Sequence, residues 1–285
     1  MSCDICRELE RLSFETWERI KFARTRRGLR IYETTLTQNI LFSLRRFQER
    51  CTDYSLSLDE AIDERTNGND IELIVQTSSG YVKLPTQAKL LYSNLKYTAI
   101  SHPGSTGYQV DDLINYASSI GGIPMYLLYN YVPRHNALRD HGCTMLQADY
   151  IRNHFSPHRS PTVTRWHIPT FNDLHLPALP WHQVLCNLLN EEDIIPYLRE
   201  MGQDLNIDEM QFYTREELES DEGWQELEAI PSIDGFEMDE EWQDFEKISQ
   251  SIEYYEVNEI EIFTEEPIRE YNPRFRVIIS TGEDV

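Results

Sequence analysis

The most constraining feature of this sequence is a pair of apolar segments, residues 70–76 and 81–91, separated by a short turn. The first reads DIELIVQ, the second YVKLPTQAKLL, and the TSSG between them has the composition of a tight turn. Such a pattern predicts a β-hairpin. Asp70, Gln87 and Lys89 are poor strand formers where Val or Ile would suit a strand better, so we expect a chemical reason for their presence.

Apolar residues recur with helical periodicity on both sides of the hairpin. Positions 9–20 and 33–47 each carry an apolar stripe with a period near 3.6, and QVDDLINYASSI at 109–120 carries another. MYLLYNYV at 125–132 is apolar almost throughout, which is typical of a strand buried on both faces. The order helix, hairpin, helix, buried strand predicts an α/β protein with a mixed sheet flanked by helices.

The remaining segments of the first 190 residues extend this core. CTMLQADYIRNHF at 143–155 predicts another strand and helix, and PALPWHQVLCNLL at 177–189 predicts a helix on the same core. Residues 52–69, which end in the turn-prone TNGN, are interpreted as a polar connection.

Charge divides the chain into two parts. The formal net charge is −23, yet residues 191–285 hold 30 Asp and Glu against 6 Lys and Arg, which leaves residues 1–190 at +1. We therefore predict a domain at 1–190 followed by an acidic C-terminal region at 191–285. RFRVIIS near the C-terminus is basic and strand-like, and residues 274–280 could return a strand to the main sheet.

The acidic region contains aromatic residues at a frequency unusual for a disordered tail. Two functional interpretations concern residues 191–269: recruitment of a basic protein partner, or self-inhibition by occupying a nucleic-acid groove. The alternative is a solvated acidic face that confers solubility.

The sequence indicates an intracellular, cytoplasmic protein with no membrane association. The apolar runs are shorter than the roughly 20 residues of a spanning helix, and the N-terminus lacks the apolar run of a signal peptide. Five cysteines without regular spacing predict reduced thiols rather than a disulfide framework. Cys3 and Cys6 form a C-x-x-C that is either half of a zinc site or two small apolar residues of a helix, and the latter is favoured.

The stretch RHNALRDHGC contains two further histidines and a cysteine. The spacing of His135, His141 and Cys143 matches no common zinc pattern. We interpret it as a loop before a buried strand.

Basic residues cluster directly before the second predicted helix. RIKFARTRRGLR at 19–30 includes Arg24, Arg26, Arg27 and Arg30, and Arg45, Arg46 and Arg50 follow on that helix. A solvated helical face is one interpretation. Contact with a phosphate backbone is the other.

The unusual polar residues suit phosphodiester hydrolysis. That reaction needs a hard divalent cation held by oxygen ligands and benefits from a fixed positive charge near the reacting oxygens. Glu33 at a helix start, Asp70, a carbonyl at 87 or 88, and Lys89 could supply these groups. Residues 87 and 89 point to one strand face, and Asp70 lies on the partner strand. A structural alternative is an Asp70–Lys89 ion pair that only stabilises the hairpin.

These motifs carry a resemblance to a known superfamily. The segments GLRIYETTLTQNILFSL, NDIELIV, PTQAKLLY, YQVDDLINYA and IPMYLLYNY, with their D…QAK motif, resemble the PD-(D/E)xK, or restriction-endonuclease-like, superfamily, and within it a group of bacterial and fungal domains. The resemblance covers residues 28–190 and not the acidic region. It implies a restriction-endonuclease-like core with the acidic region as a C-terminal elaboration.

The resemblance also implies roles for individual residues. Asp70 would be the central metal ligand, Glu33 the helix-borne acid of the metal site, Gln87 the second motif position and Lys89 the catalytic lysine. Gln109 opens the next helix, where it would either support the residues of the metal site or position the phosphate.

Two positions depart from the family pattern. Asn69 stands where the superfamily name has Pro, and Gln87 replaces an acidic residue, which removes one negative charge from the metal site. Glu72, two residues from Asp70 on the same strand face, could restore that carboxylate.

The function implied by the resemblance is a Mg²⁺- or Mn²⁺-dependent endonuclease that cleaves DNA rather than RNA, in bacterial defence against foreign DNA. The alternative is a catalytically weak or inactive nuclease-fold module that binds nucleic acid or protein and is regulated by the acidic region. Assembly into a homo-oligomer is compatible with either.

Overall fold

The computed structural model describes residues 4–26, 28–51, 54–61, 71–103, 107–133, 135, 140–160, 162, 164–190, 211–221, 224–226 and 275–281. The chain divides into a unit formed by residues 1–226 and 268–285 and a second unit, 227–267. The second unit lies outside the described residues, so the description below concerns the first. Asp70, Arg27 and most of the acidic region also lie outside the described residues.

The described chain begins with two helices followed by three strands, and helices and strands are interspersed after them. The α-helices are α1 (Ile5–Thr25), α2 (Glu33–Gln48), α3 (Gln109–Ser119), α4 (Ala148–Phe155), α5 (Phe171–Leu174), α6 (Trp181–Asn190) and α7 (Arg215–Glu219), and 3₁₀ turns span Thr98–Ser101 and Pro157–Arg159. The strands are β1 (Tyr54–Ala61), β2 (Ile71–Thr77), β3 (Gly80–Leu90), β4 (Met125–Tyr129), β5 (Cys143–Gln147), β6 (Leu179–Pro180), β7 (Trp224–Glu226) and β8 (Phe275–Thr281).

The strands form one mixed sheet. Among the described residues its order is β6-β5-β4-β3-β2-β8-β1-β7. The β2–β8 and β3–β4 pairs are parallel and the other neighbours are antiparallel. All five residues of β4 are buried, as its continuous apolar run predicts. The protein is therefore a mixed α/β structure with a sheet flanked by helices.

The predicted hairpin is present. β2 and β3 pair from Ile71 opposite Thr86 to Thr77 opposite Gly80. Gly80 has φ +126°, a backbone conformation that residues other than glycine rarely adopt. The turn after β2 is therefore compatible with glycine at this position and with few other residues.

The C-terminal strand β8 inserts into the middle of the sheet. It runs parallel to β2 and antiparallel to β1. The tail thus contains the strand suggested at 274–280, between two strands that precede it by about 200 positions in the chain.

The interpretation of residues 52–69 as a polar connection is wrong for Tyr54–Ala61, which form β1. Leu56 and Leu58 are 1% and 2% exposed and alternate with polar residues. This period-two pattern is typical of a strand with one buried face. Its partner β8 is distant in sequence, so nothing local indicated a place for it in the sheet.

Helices cover both faces of the sheet. The Thr37 hydroxyl of α2 lies 2.9 Å from the Tyr129 hydroxyl of β4, and the Tyr116 hydroxyl of α3 donates to Glu72 of β2 at 2.8 Å. Strand alternation puts Tyr129 and Glu72 on opposite faces. α2 and α3 therefore flank the strands from opposite sides.

The prediction of reduced thiols is wrong for Cys6 and Cys186, which form a disulfide between α1 and α6. These helices pack together, and the Trp181 indole donates to the Leu9 carbonyl at 2.8 Å. Packing of two distant segments, which spacing does not reveal, brings the cysteines together. Cys143 is a buried free thiol, and burial raises its pKa to about 12.

None of the helices in the described part of the chain is both long enough and apolar enough to span a membrane.

Candidate active site

Gln87 and Lys89 lie near the C-terminal end of β3 and are almost fully buried. Gln87 is 4% exposed and Lys89 is 5% exposed. Their i, i+2 spacing directs both side chains to the sheet face that α3 covers, as predicted. Burying a lysine is unfavourable unless its ammonium has a hydrogen-bond or ion-pair partner. The identity of that partner determines whether the charge of Lys89 is neutralised or remains available to a ligand.

The partner of Lys89 is Gln109. The Lys89 ammonium donates to the Gln109 side-chain oxygen at 3.1 Å. Gln109 is the first residue of α3, and its backbone N–H donates to the His102 carbonyl at 3.3 Å. The structure thus brings together two residues predicted from separate segments, and the start of α3 holds the cation in place.

Glu33 reaches the same end of β3 from the other side of the sheet. It is the first residue of α2, and its Oε2 accepts from the Leu90 backbone N–H at 3.0 Å. A carboxylate at a helix N-terminus is also favoured by the helix dipole. Its hydrogen-bond partner Leu90 directly follows Lys89, so the Glu33 carboxylate lies at the same end of β3.

The Gln87 side-chain oxygen is buried and has no hydrogen-bond partner. Leaving a buried acceptor unsatisfied costs about 1–3 kcal/mol, and such groups in folded proteins usually meet a water or an ion. An amide oxygen is one of the oxygen ligands that Mg²⁺ and Mn²⁺ accept in proteins, commonly together with carboxylates. The donor chemistry at Gln87 therefore fits the cation that the resemblance implies.

The described residues contain no group of three or more His, Cys, Asp and Glu side chains placed to hold a metal ion. Asp70, the predicted central ligand, is outside the described residues. Glu33 and Gln87 are accordingly the predicted ligands that the structure brings to this end of β3.

Glu72, predicted as a supplementary ligand, lies on the same sheet face as Gln87 and Lys89. It is 1% exposed, its Oε2 accepts from Tyr116, and its Oε1 lies 3.9 Å from the Lys83 ammonium. Burial raises the pKa of Glu72, while Lys83 and Tyr116 oppose that rise. The Glu72 carboxylate thus contacts Tyr116 of α3 and Lys83 of β3.

Glu72 belongs to a buried charge cluster that sequence reasoning missed. Arg276 of β8 pairs with Asp59 of β1 at 2.6 Å, and Asp221 lies 3.6 Å from Arg276 and 4.0 Å from Lys83. The signal was Lys83, a charged residue inside an apolar strand. Its ion-pair partners, Glu72 and Asp221, come from β2 and the segment after α7, which only the fold brings together.

The predicted basic residues have different roles in the structure. Arg24 is largely buried, donates to the Tyr131 carbonyl at 3.2 Å and to the Leu91 carbonyl, and burial lowers its pKa. Arg26 and Arg30 are exposed. Arg24 therefore ties α1 to the ends of β3 and β4, and Arg26 and Arg30 face solvent.

Arg45 and Arg46 of α2, and Arg50 just after its end, each have a contact within four positions along the chain. Arg45 donates to Gln48 at 3.0 Å, Arg46 lies over the Phe42 ring at 6.0 Å, and Arg50 donates to the Arg46 carbonyl at 2.9 Å.

Two exposed tyrosines beside Glu33 were also missed. Tyr32, which precedes Glu33, is 58% exposed, and Tyr92, two residues after Leu90, is 45% exposed. Burial and the nearby Glu33 carboxylate raise the pKa of Tyr92. Their proximity depends on the Glu33–Leu90 hydrogen bond, for which the sequence carries no signal.

Comparison with known proteins yields one family. The model of a family of unknown function, DUF6615, matches residues 5–280. Comparison with curated proteins and comparison with solved structures give no match. Because the match spans nearly the whole chain, including β8, the protein belongs to the DUF6615 family.

Proposed function

We propose that this protein is a Mg²⁺- or Mn²⁺-dependent nuclease with a restriction-endonuclease-like core, and that DNA is its substrate. The observation that carries the proposal is the buried, unpartnered Gln87 oxygen two residues from the buried Lys89 ammonium. A buried acceptor and a buried cation on one strand face are unfavourable for folding alone. The free-energy cost of burying these two groups is explained if the Gln87 oxygen binds a metal cation and the Lys89 ammonium binds a phosphate.

The metal would be held by Gln87 and Glu33, together with Asp70 by resemblance. Bound there, a hard divalent cation supplies an activated water and neutralises charge on the phosphate. The Lys89 ammonium provides a fixed positive charge for the oxygens of the scissile phosphate, where charge grows as the bond breaks.

Two supporting groups keep the reacting side chains in place. The Gln109 oxygen orients the ammonium of Lys89 without neutralising it, because an amide carries no charge. The Leu90 backbone N–H fixes one oxygen of Glu33. Such preorganisation removes the need to reorient polar groups during the reaction.

Cleavage assays test the proposal. Purified protein with Mn²⁺ is incubated with plasmid, linear duplex, single-stranded DNA and RNA, alongside Lys89→Ala and Gln87→Ala. We expect DNA cleavage by the wild type and its loss in Lys89→Ala, with Arg215→Ala as a control, because Arg215 lies outside the basic segments and is paired with Glu219 at 2.8 Å. A wild type that leaves all four substrates intact would contradict the proposal.

A second candidate function is a nuclease-fold binding module without catalysis. The neutral Gln87 favours it, because an amide binds a divalent cation less strongly than a carboxylate. Titration calorimetry distinguishes the two: Mn²⁺ heat that disappears in Asp70→Ala and Gln87→Ala supports the enzyme. Nucleic-acid binding without Mn²⁺ heat supports the module.

A further inference from the structure

Two exposed tyrosines lie close along the chain to the residues that form the Glu33–Leu90 hydrogen bond. Tyr32 is covalently adjacent to Glu33 and Tyr92 follows Leu90 by two residues, while Glu33 Oε2 and the Leu90 nitrogen are 3.0 Å apart. The rings are 58% and 45% exposed. Single exposed aromatics need no explanation, but two beside one polar site suggest a ligand surface.

The backbone that carries Tyr92 is held firmly. The Tyr92 N–H donates to the Lys96 carbonyl at 3.0 Å, and the Leu95 N–H donates back to the Tyr92 carbonyl at 2.9 Å. The preceding Leu91 N–H donates to the Tyr129 carbonyl at 2.9 Å, and Arg24 donates to the Leu91 carbonyl. The ring of Tyr92 therefore projects from a fixed turn.

Tyr32 is held in a similar way at the start of α2. Its backbone is extended, with φ −111° and ψ 153°, and its carbonyl accepts from the Leu36 N–H at 3.2 Å. The first turn of α2 thus fixes the backbone position from which the Tyr32 side chain projects.

Basic residues accompany both rings, and the Glu33 carboxylate, a metal ligand in the proposed function, lies between the two segments. Arg26, Arg30 and Lys96 are exposed, and residues 26–32 and 91–96 contain no Asp or Glu. In a chain with a net charge of −23, two adjoining segments with only positive charges are complementary to a polyanion.

We infer that Tyr32 and Tyr92 form a stacking platform for unpaired bases, so that the substrate of the proposed nuclease is single-stranded DNA. Stacking on an aromatic ring requires an open base face, which a duplex uses for its own stacking. Arg26, Arg30 and Lys96 bind the phosphates of the strand, and one phosphate lies toward Lys89. This inference rests on the proposed function for the identity of the site.

Binding in the absence of metal tests the inference independently of cleavage. The probes are a fluorescein-labelled oligothymidine of about 20 nucleotides, longer than the roughly 4–16 nucleotides that common single-strand sites cover, and a duplex of equal length. Fluorescence anisotropy is measured in EDTA with the full chain. We expect tighter binding of the single strand than of the duplex.

The tyrosines are tested by paired substitutions. We expect Tyr92→Ala and Tyr32→Ala each to weaken single-strand binding about fivefold or more, and Tyr92→Phe to bind like the wild type because the ring remains. Leu176→Ala is the matched control, since Leu176 is 79% exposed and lies outside both segments. Circular dichroism melts establish that the variants are folded.

Several results would overturn the inference. These are equal or tighter binding of the duplex, wild-type affinity in Tyr92→Ala and Tyr32→Ala, or tighter binding of an oligouridine than of the oligothymidine. Failure of the proposed function gives a different result. Tyrosine-dependent binding of single-stranded DNA without any Mn²⁺-dependent cleavage would support the stacking platform and contradict the nuclease function. Mn²⁺-dependent cleavage together with tighter binding of the duplex would support the nuclease function and contradict the stacking platform.

Discussion

Lys89 and Gln109 show how single residues determine the candidate site. The ammonium of Lys89 is buried on β3, and the Gln109 oxygen accepts from it at 3.1 Å. A buried cation held by a neutral amide keeps its full charge available to a phosphate. If the proposed function is correct, Gln109 acts through Lys89 as a positioning residue.

We expect Gln109→Ala to reduce the rate of Mn²⁺-dependent DNA cleavage about tenfold or more, because a hydrogen bond to a charged group contributes about 1.5–3 kcal/mol. The fall should be in kcat with little change in KM, since the lost contact orients a group that acts in the transition state. The control is Gln38→Ala, an exposed glutamine of α2. Equal kcat in Gln109→Ala and the wild type would contradict this role.

Glu72 makes the stability of the protein depend on pH. Burial raises the pKa of this carboxyl in the folded state, so the folded protein binds the proton more tightly than the unfolded chain. Its contribution to stability is fully present below the unfolded pKa, about 4.3, and is lost as the pH rises through the higher folded pKa.

We therefore expect Glu72→Gln to gain stability relative to the wild type as the pH rises from about 4 to about 8. The glutamine keeps an oxygen that can accept from Tyr116 and does not titrate. Urea unfolding at several pH values measures the difference, with the exposed Glu49→Gln as the control. A difference that stays constant or falls with pH would contradict the raised pKa.

At the scale of elements, α1 packs unusually closely on the start of β5. The Ser13 hydroxyl donates to the Asp140 carbonyl at 2.6 Å and accepts from the Cys143 N–H at 2.8 Å. Between them, a Cβ on Gly142 would lie 1.9 Å from the Ser13 carbonyl oxygen. The close approach of helix and strand therefore depends on a glycine.

We expect Gly142→Ala to lower the free energy of unfolding by about 2 kcal/mol or more, because the clash is with the backbone of α1 and side-chain rotation cannot relieve it. Thermal or urea unfolding measures this loss. Gly28→Ala is a matched control: Gly28 has φ +85° and nothing within 4 Å of an added Cβ, so only backbone strain of about 1 kcal/mol applies. A smaller loss at Gly142 than at Gly28 would contradict the packing argument.

At the scale of the whole molecule, the acidic region is not a removable tail. β8 lies between β2 and β1 in the sheet, so truncation after Asn190 would remove a central strand. Residues 227–267, which form a unit of their own, hold 14 acidic residues and 1 basic residue. An internal deletion of that unit removes its acidic residues and keeps β8. The effect of the negative charge on function can then be measured without loss of the strand that the fold needs.

We expect the chain truncated after Asn190 to be unfolded, and the chain with residues 227–267 replaced by a Gly/Ser linker to keep a cooperative unfolding transition. If the acidic unit inhibits the enzyme, the linker variant should bind single-stranded DNA more tightly and cleave it faster than the full chain. Anisotropy and cleavage assays measure both. Unchanged binding and cleavage would instead support a role in solubility.

Much of the fold was predictable from local patterns. Leu9, Leu12, Trp17 and Ile20, chosen for their helical spacing, are all buried on α1, and the hairpin and the fully buried β4 lie where their composition predicts. The spacing of Gln87 and Lys89 also predicted a shared face. These features depend on interactions within one segment or across one turn, so the sequence of that segment contains the information.

The amino-acid sequence by itself therefore determined the helices, the hairpin and the identity of the residues at the candidate site. Only the tertiary structure decided that β8 enters the sheet beside β2, that Glu33 meets the Leu90 N–H, and that Cys6 pairs with Cys186. Each of these contacts joins residues between 57 and 205 positions apart. Closing such long loops depends on the packing of the whole core, which no local pattern records.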